Sequence, residues 1–241
     1  MEVNFLPIVS LREINLSEEQ TRVLVIAAHP DDEVLGCGGA MALHRDRGDE
    51  VKLLIACEGE SLRYGEAGVG QHGHIEAAAA ALGVNDWSLL GFNDQTLDTT
   101  PQTAIIDALM RATEGYEPNV VYCQSGEDVN SDHLALFRAA LVAFRPTAES
   151  VRSFLTWYTA SSTDWAFPRT FTPDTWVDIS EAIDRKIEAM ACYESEVRAY
   201  PHPRSLESIR AQAQFWGTQA CLPFAEVFRT VRRVELPTCA D

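Results

Sequence analysis

The chain has 241 residues, of which 46% are hydrophobic, so it is long enough to bury a substantial core. Its 36 acidic and 19 basic residues give a formal net charge of −17, which opposes binding to phosphate backbones and anionic membrane surfaces. We therefore expect neither nucleic acid nor a membrane as a partner. Long apolar runs and a signal-peptide pattern are also missing from the sequence, so a cytoplasmic protein is expected.

Apolar runs and helical stretches alternate along residues 22–160. Buried strands are predicted where the runs are uninterrupted, at 23–28, 51–57, 87–90, 119–124 and 151–160. Helices are predicted between them, at 33–47, 74–83, 102–114 and 131–144. This alternation is typical of a doubly wound α/β fold, with a mostly parallel sheet and helices on both faces.

The two ends of the chain are less regular. Residues 1–21 are predicted to be an N-terminal extension with a short capped turn at Leu16–Glu19, and 165–176 an aromatic, proline-containing loop. Two helices and a last strand are expected in the C-terminal part, at 180–193, 205–216 and 226–236. No stretch resembles a long linker, so we predict one domain over 1–241, whose part 150–241 shapes the substrate crevice.

The six cysteines are scattered through the chain without CxxC spacing. We expect reduced core residues rather than a disulfide framework or a thiolate zinc site. The glycines at 36, 38 and 39 lack the GxGxxG spacing of a phosphate-binding loop, so close helix packing is the expected reason for them. Three histidines without partner spacing are expected at the surface or in loops: His44, His72 and His74.

The first predicted strand ends in a cluster of ionisable residues, His29, Asp31, Asp32 and Glu33. In an open α/β sheet the carboxyl ends of the strands are where ligands bind. Pro30 favours an extended backbone at His29, so this histidine continues the strand direction. Because adjacent side chains in a turn project differently, one aspartate can bind a metal ion while its neighbour faces a bound water. Such nitrogen and oxygen ligands suit zinc.

A second ionisable cluster, residues 128–133, follows the fourth predicted strand. If the strand order is 3-2-1-4, strands one and four are neighbours and both clusters open into one crevice. His133 would then complete a site with His29 and Asp32. Three protein ligands leave a fourth position for water, which is the pattern of a catalytic zinc ion (Zn²⁺) rather than a structural one.

Several segments together carry a family resemblance. They are Ala28-His29-Pro30-Asp31-Asp32-Glu33 with the following glycines, Asp128-Val129-Asn130-Ser131-Asp132-His133, Leu82-Gly83-Val84, Gly91-Phe92 and His202-Pro203-Arg204-Ser205. The chain resembles the LmbE-like (PIG-L) family of zinc-dependent N-deacetylases over most of residues 22–230. This implies a Rossmann-like fold and hydrolysis of an N-acetyl group from an amino sugar or its conjugate. It also implies zinc on His29, Asp32 and His133, with Asp31 as general base.

The chemistry of amide hydrolysis agrees with these roles. An amide carbonyl is a poor electrophile, so its hydrolysis requires an activated water and a stabilised oxyanion. A zinc ion activates the water and polarises the carbonyl, while Asp31 can take a proton and return it to the departing amine.

Asn130 stands where many relatives of this kind carry a histidine that stabilises the oxyanion. An amide can donate a hydrogen bond but brings no positive charge, so we hypothesise that His202 supplies this stabilisation. The alternative is that His202 lies in a surface turn and has no part in the reaction. Further candidates for contacts to the ligands or to substrate are Glu33, Asn130, Asp128, Asp132 and Arg204. Glu33 could instead simply favour the first helical turn, and Asp132 could cap its helix.

Two other functions fit the same pattern. One is a non-catalytic sugar- or nucleotide-binding module, and the other is a zinc hydrolase of a different amide or ester. The presence of Asp31 argues against the first, because binding alone requires no base beside the ligands. The sequence leaves open the identity of the sugar and its aglycone, and also a homo-oligomer, in which members of the family often occur.

Overall fold

The computed structural model describes residues 20–61 and 70–235. These residues form a seven-stranded sheet with the order β3-β2-β1-β4-β5-β7-β6. The strands are β1 (Arg22–Ala27), β2 (Glu50–Cys57), β3 (Asp86–Phe92), β4 (Val120–Gln124), β5 (Ser153–Trp157), β6 (Thr175–Asp178) and β7 (Ala225–Arg233). The first five strands are parallel, and β7 runs antiparallel to both β5 and β6.

Six helices occur in the described part of the chain. They are α1 (Asp32–Asp46), α2 (Gln71–Ala81), α3 (Gln102–Ala112), α4 (Ser131–Ala143), α5 (Ile183–Ala191) and α6 (Leu206–Thr218). None of them combines the length and apolarity that a membrane crossing requires. The predicted fold class, a mostly parallel α/β sheet, is confirmed. The strand order on which the shared crevice depended, with β1 between β2 and β4, is the order observed.

Strand β1 separates two apolar layers. Val23 and Val25 pack into a core with α1, α2, α5 and α6, whereas Leu24 and Ile26 pack into a second core with α3 and α4. All four side chains are completely buried. The absence of polar residues after Arg22 in this strand therefore follows from its position, because both of its faces are covered by helices.

Two details differ from the sequence predictions, and a third cannot be compared. Helix α2 begins at Gln71 rather than 74, directly after Gly70, whose φ of 75° lies in the left-handed region. Strand β6 occupies part of the predicted loop 165–176, because it pairs with β7, a partner far along the chain. The expected turn at Leu16–Glu19 lies outside the described residues.

His44 is buried, so its predicted place at the surface or in a loop is wrong. It lies in the last turn of α1, which faces the sheet, and its Nδ1 is 2.7 Å from Asp49 Oδ2. On the other side of the ring, Nε2 lies 3.1 Å from the hydroxyl of Tyr122. His72 is exposed and His74 half-buried, both on α2.

The five cysteines in residues 20–61 and 70–235 are free, as expected, but not all of them are core residues. Cys37, Cys57 and Cys123 are buried, whereas Cys192 is half-buried and Cys221 is exposed.

Helix α1 is broken at Cys37, where φ is −143°. A buried ion pair stabilises both sides of the break, with Lys186 Nζ 2.6 Å from Glu226 Oε1. Lys186 donates a hydrogen bond of 2.9 Å to the carbonyl of Leu35, at the end of the first segment. The Glu226 carboxylate accepts two of 2.8 Å from the N–H groups of Gly39 and Ala40. Each charge thus lies at the helix end that favours it.

The glycines of α1 allow close packing, as the sequence predicted. A Cβ atom at Gly36 would lie only 2.1 to 2.3 Å from the ring of Trp157, which is completely buried. A Cβ atom at Gly39 would lie 2.7 Å from Ile179. At Gly38, by contrast, the nearest atoms would be at an ordinary 3.4 Å.

We predict that Gly36→Ala lowers the free energy of unfolding by about 1 to 3 kcal/mol, because the buried Trp157 has no room to move. Gly38→Ala is the matched control and should be neutral or slightly stabilising, since alanine favours a helix over glycine. Urea denaturation of both variants measures the difference. Equal losses at the two positions would contradict this account of the packing.

Candidate metal centre

Three side chains from two sequence segments about a hundred residues apart, 29–32 and 133, come together at the carboxyl ends of β1 and β4. His29 Nδ1 lies 3.2 Å, and His133 Nε2 lies 3.1 Å, from the same atom, Oδ2 of Asp32. Each of the three residues is 5% exposed or less. They meet because β1 and β4 are adjacent parallel strands, whose ends point to one edge of the sheet.

The donor atoms of this cluster fit a divalent metal ion. One ligand atom from each of His29, Asp32 and His133 lies within 4.8 Å of the others. Neither ring nitrogen of His133 makes a hydrogen bond of normal geometry, although each lies close to a carboxylate oxygen. Buried polar atoms without such a partner are rare, and a cation between the three side chains would supply one. Two imidazoles and a carboxylate are a typical donor set for zinc.

A second carboxylate lies behind each histidine. Asp132 Oδ2 is 3.0 Å from Nε2 of His29, and Asp128 Oδ2 is 3.2 Å from Nδ1 of His133. Protons on these two nitrogens would leave His29 Nδ1 and His133 Nε2 to face Asp32 as ligands. Of the two roles considered for Asp132, a contact to a ligand histidine or a helix cap, the structure supports the contact to His29.

These rear carboxylates are themselves held in place. Asp132 Oδ1 accepts a hydrogen bond of 2.9 Å from the backbone N–H of Leu97. Asp128 Oδ2 accepts bonds of 2.9 and 2.8 Å from the hydroxyl groups of Ser162 and Thr163. Both imidazole rings are therefore oriented by carboxylates that cannot easily move.

The cluster also shifts the pKa values of its members. Burial opposes the charged form of Asp32, but the neighbouring His133 and His29 hold the pKa of this carboxyl well below its usual range. Burial likewise opposes the charged form of His133, yet Asp32 and Asp128 raise the pKa of this imidazole to about 9. A metal ion therefore competes with protons for these nitrogens, which makes metal binding pH-dependent.

Asp31 has an unusual backbone conformation beside this cluster. Its φ of 102° lies in the left-handed region, which residues other than glycine rarely adopt, and strain of this kind often occurs at functional sites. Its backbone N–H donates to Glu33 Oε2 at 3.2 Å, and its carboxylate lies 3.2 Å from Arg204 Nη1. Burial is the main cause that raises the pKa of the Asp31 carboxyl well above its usual value, and nearby Asp32 adds to it.

Glu33 connects Asp31 to the C-terminal part of the chain. Its Oε1 accepts a hydrogen bond of 2.6 Å from the hydroxyl of Tyr193. Glu33 therefore holds the backbone of Asp31, besides occupying the first turn of α1. The sequence predicts that Glu33 contacts a metal ligand. In the structure Glu33 instead contacts Asp31, which lies between the candidate ligands His29 and Asp32 in the sequence.

The segment 202–205 reaches the site through Arg204. The guanidinium Nη1 lies between Asp31 and Glu196, at 3.0 Å from Glu196 Oε2. His202 Nδ1 accepts a hydrogen bond of 3.0 Å from the backbone N–H of Arg204, and its ring meets the edge of Trp165. The oxyanion role of His202 stays a prediction.

Asn130 caps α4, since its side chain accepts a hydrogen bond of 2.9 Å from the N–H of Asp132. Its Nδ2 donates to Gln95 Oε1 at 3.5 Å. The amide nitrogen of Gln95 lies 3.1 Å from His29 Nε2, and Asp94 Oδ1 lies 3.5 Å from the same nitrogen. Sequence reasoning missed Asp94 and Gln95. Their signal was a polar loop directly after the third predicted strand, at the same sheet edge.

A pH-dependent stability follows from Glu33, because burial raises the pKa of its carboxyl to about 7. Between about 4.5 and about 7 the unfolded chain loses this proton while the folded protein keeps it. Ionisation in this window therefore favours the unfolded state. We predict that the stability of the metal-free protein, relative to Glu33→Gln, falls by on the order of 3 kcal/mol as pH rises through the window.

Urea denaturation of both proteins after chelation, at several pH values, measures this difference. Glu58→Gln serves as the control with the opposite sign, because hydrogen bonds from Ser61 and Asp94 outweigh burial and lower the pKa of Glu58. A wild-type advantage over Glu33→Gln that grows with pH would contradict the prediction.

Comparison with known proteins agrees with the geometry. The family described as "PIG-L: GlcNAc-PI de-N-acetylase" matches residues 24–144, about half of the chain, including all three candidate ligands. A probable N-acetyl-alpha-D-glucosaminyl L-malate deacetylase 2 of Bacillus cereus is 25% identical, over 75% of this chain and 86% of the relative. A 1D-myo-inositol 2-acetamido-2-deoxy-alpha-D-glucopyranoside deacetylase of a Mycobacterium species is 27% identical, over 79% of each chain.

A solved structure is similar to this chain over most of its length. The conserved protein TT1542 from Thermus thermophilus superposes with a TM-score of 0.73 and 26% sequence identity. The match covers 91% of this chain and 98% of the other, so it extends beyond residue 144 into the C-terminal part.

Proposed function

Since the chain belongs to the PIG-L family of de-N-acetylases, we propose that it is a zinc-dependent hydrolase that removes the N-acetyl group from an N-acetyl amino sugar or its conjugate. The observation that carries this proposal is the buried group of His29, Asp32 and His133 with Asp31 beside it. Both curated relatives described above are named as deacetylases of amino-sugar conjugates. The proposed partner is a small-molecule amino sugar and the proposed location is the cytoplasm.

His29, Asp32 and His133 would hold the zinc ion, with Asp132 and Asp128 orienting the two imidazoles. When bound, zinc supplies Lewis-acid chemistry, which lowers the pKa of a water molecule to roughly 7 and polarises the acetyl carbonyl.

Asp31 would move the proton. Its carboxylate takes a proton from the water that attacks the acetyl carbon, and it gives this proton to the amide nitrogen as the C–N bond breaks. The products are acetate and a free amine. Arg204, 3.2 Å from Asp31, keeps the carboxylate in place, and the hydrogen bond from the Asp31 backbone to Glu33 fixes its direction.

We predict that the zinc-loaded protein releases acetate from N-acetylglucosamine conjugates, and that chelation abolishes the release. Acetate release is measured on a panel of such conjugates with malate, inositol or no aglycone, and on other amides and esters. The compounds that are hydrolysed define the substrate class. Acetate release that is insensitive to chelation would contradict zinc dependence. Binding of the sugars without turnover would favour the non-catalytic alternative.

Asp31→Asn tests the role of Asp31 as general base separately from metal binding by His29, Asp32 and His133. It should lower kcat by about 10² to 10⁴ while zinc content stays unchanged, because a positioned acid–base group contributes about that much. Asp49→Asn is the matched control at a partly buried aspartate that bonds His44, away from the site. If Asp31→Asn retained full activity, the general base would be another group.

We further propose that His202 stabilises the oxyanion in place of the histidine that Asn130 replaces. His202→Ala should then lower kcat/KM by more than about tenfold, or about 1.4 kcal/mol of transition-state stabilisation. His72→Ala, at an exposed histidine of α2, is the control and should leave kcat/KM unchanged. A loss smaller than tenfold in His202→Ala would show that a group other than His202 stabilises the oxyanion.

A further inference from the structure

A second group of ligand-type side chains lies on the other side of the His29 imidazole from Asp32. His29 Nε2 is 3.0 Å from Asp132 Oδ2 and 3.5 Å from Asp94 Oδ1. The thiol Sγ of Cys57 is 3.6 Å from the same Asp132 oxygen. Cys57, Asp94 and Asp132 are completely buried. One nitrogen, one sulfur and one carboxylate oxygen, from His29, Cys57 and Asp132, therefore lie within 4.8 Å of one another at the ends of β1 and β2 and the start of α4. Asp94 lies beside His29 but does not belong to this group.

The spacing of these atoms fits one metal ion. Zinc binds nitrogen and oxygen at about 2.0 to 2.2 Å and sulfur at about 2.3 Å, so ligand atoms at the corners of a tetrahedron are roughly 3.3 to 3.7 Å apart. Asp132 Oδ2 lies 3.0 Å from His29 Nε2 and 3.6 Å from Cys57 Sγ, and one ligand atom from each of the three residues lies within 4.8 Å of the others. Small side-chain movements would be sufficient to coordinate an ion.

We propose that His29 Nε2, Cys57 Sγ and Asp132 Oδ2 form a second metal position, next to the one formed by His29, Asp32 and His133. A thiolate ligand makes it selective for thiophilic divalent ions such as zinc, cobalt or cadmium over magnesium or calcium. His29 belongs to both positions, so its imidazole bridges the two ions when both are bound.

Binding at the second position displaces protons and needs no oxidant. The metal–sulfur bond forms as the Cys57 thiol proton leaves to solvent, and the metal–nitrogen bond forms as the Nε2 proton of His29 leaves. The first position requires no thiol deprotonation, so it fills at lower metal concentration. An ion at the second position also removes the hydrogen bond by which Asp132 orients His29, so excess metal should inhibit the enzyme. Only this effect on activity rests on the proposed function.

The test is a titration of the metal-free full-length protein with cobalt(II), which reports thiolate ligands by a charge-transfer band in the near ultraviolet. The first equivalent should give visible d–d bands alone, and the second equivalent should add the thiolate band. Cys57→Ser should bind one equivalent and lose the thiolate band. Cys123→Ser is the matched control, because it replaces another completely buried cysteine outside the cluster and should bind two equivalents with the band.

Two outcomes would overturn the proposal. One is a wild-type titration that ends at one equivalent without a thiolate band, which would leave Cys57 as a neighbour of His29 only. The other is a thiolate band that persists in Cys57→Ser. The titration of the wild-type protein shows whether a second equivalent binds with a thiolate band, even if a variant does not fold. It also requires no turnover, so failure of the proposed deacetylase activity would be a separate result.

Discussion

The site depends on one carboxylate oxygen, Asp32 Oδ2, which lies within 3.2 Å of an imidazole from each of two distant segments. The contact requires β1 and β4 to be adjacent and in their observed register, with Val23 opposite Val120. Because residues 29 and 133 follow these strands at their carboxyl ends, any shift of register would separate the histidines. The two apolar cores that fix β1 between its neighbours therefore also fix the geometry of the candidate metal centre.

The C-terminal part of the chain completes the site from the outside. Tyr193 bonds Glu33, and Arg204 lies between Glu196 and Asp31, so three residues from this part hold the strained turn after β1. Hydrogen bonds and ion pairs of this kind can maintain a left-handed backbone conformation that an isolated peptide would avoid. The ion pair of Lys186 and Glu226 acts on the same helix, because it stabilises the break in α1.

Much of this arrangement was predictable because its signals are local in the sequence. The ionisable residues follow apolar strands directly, and the glycines of α1 lie one turn later, so the candidate ligands could be inferred on the condition that strands one and four are neighbours. His44 was misplaced because a histidine without partner spacing carries no sign of its buried contacts with Asp49 and Tyr122. Strand β6 was missed because it exists through pairing with β7.

The sequence by itself determined the fold class and the residues that could bind a metal ion, since apolar periodicity and motif spacing are local properties of the chain. The order of the strands around β1 was only a condition until the structure showed it. Only the tertiary structure decided that Arg204 contacts Asp31, that Asp132 and Asp128 lie behind the two histidines, and that Cys57 and Asp94 lie near His29. The physical reason is that these contacts join side chains from different strands and helices. Their distances follow from packing and register, which no local pattern encodes.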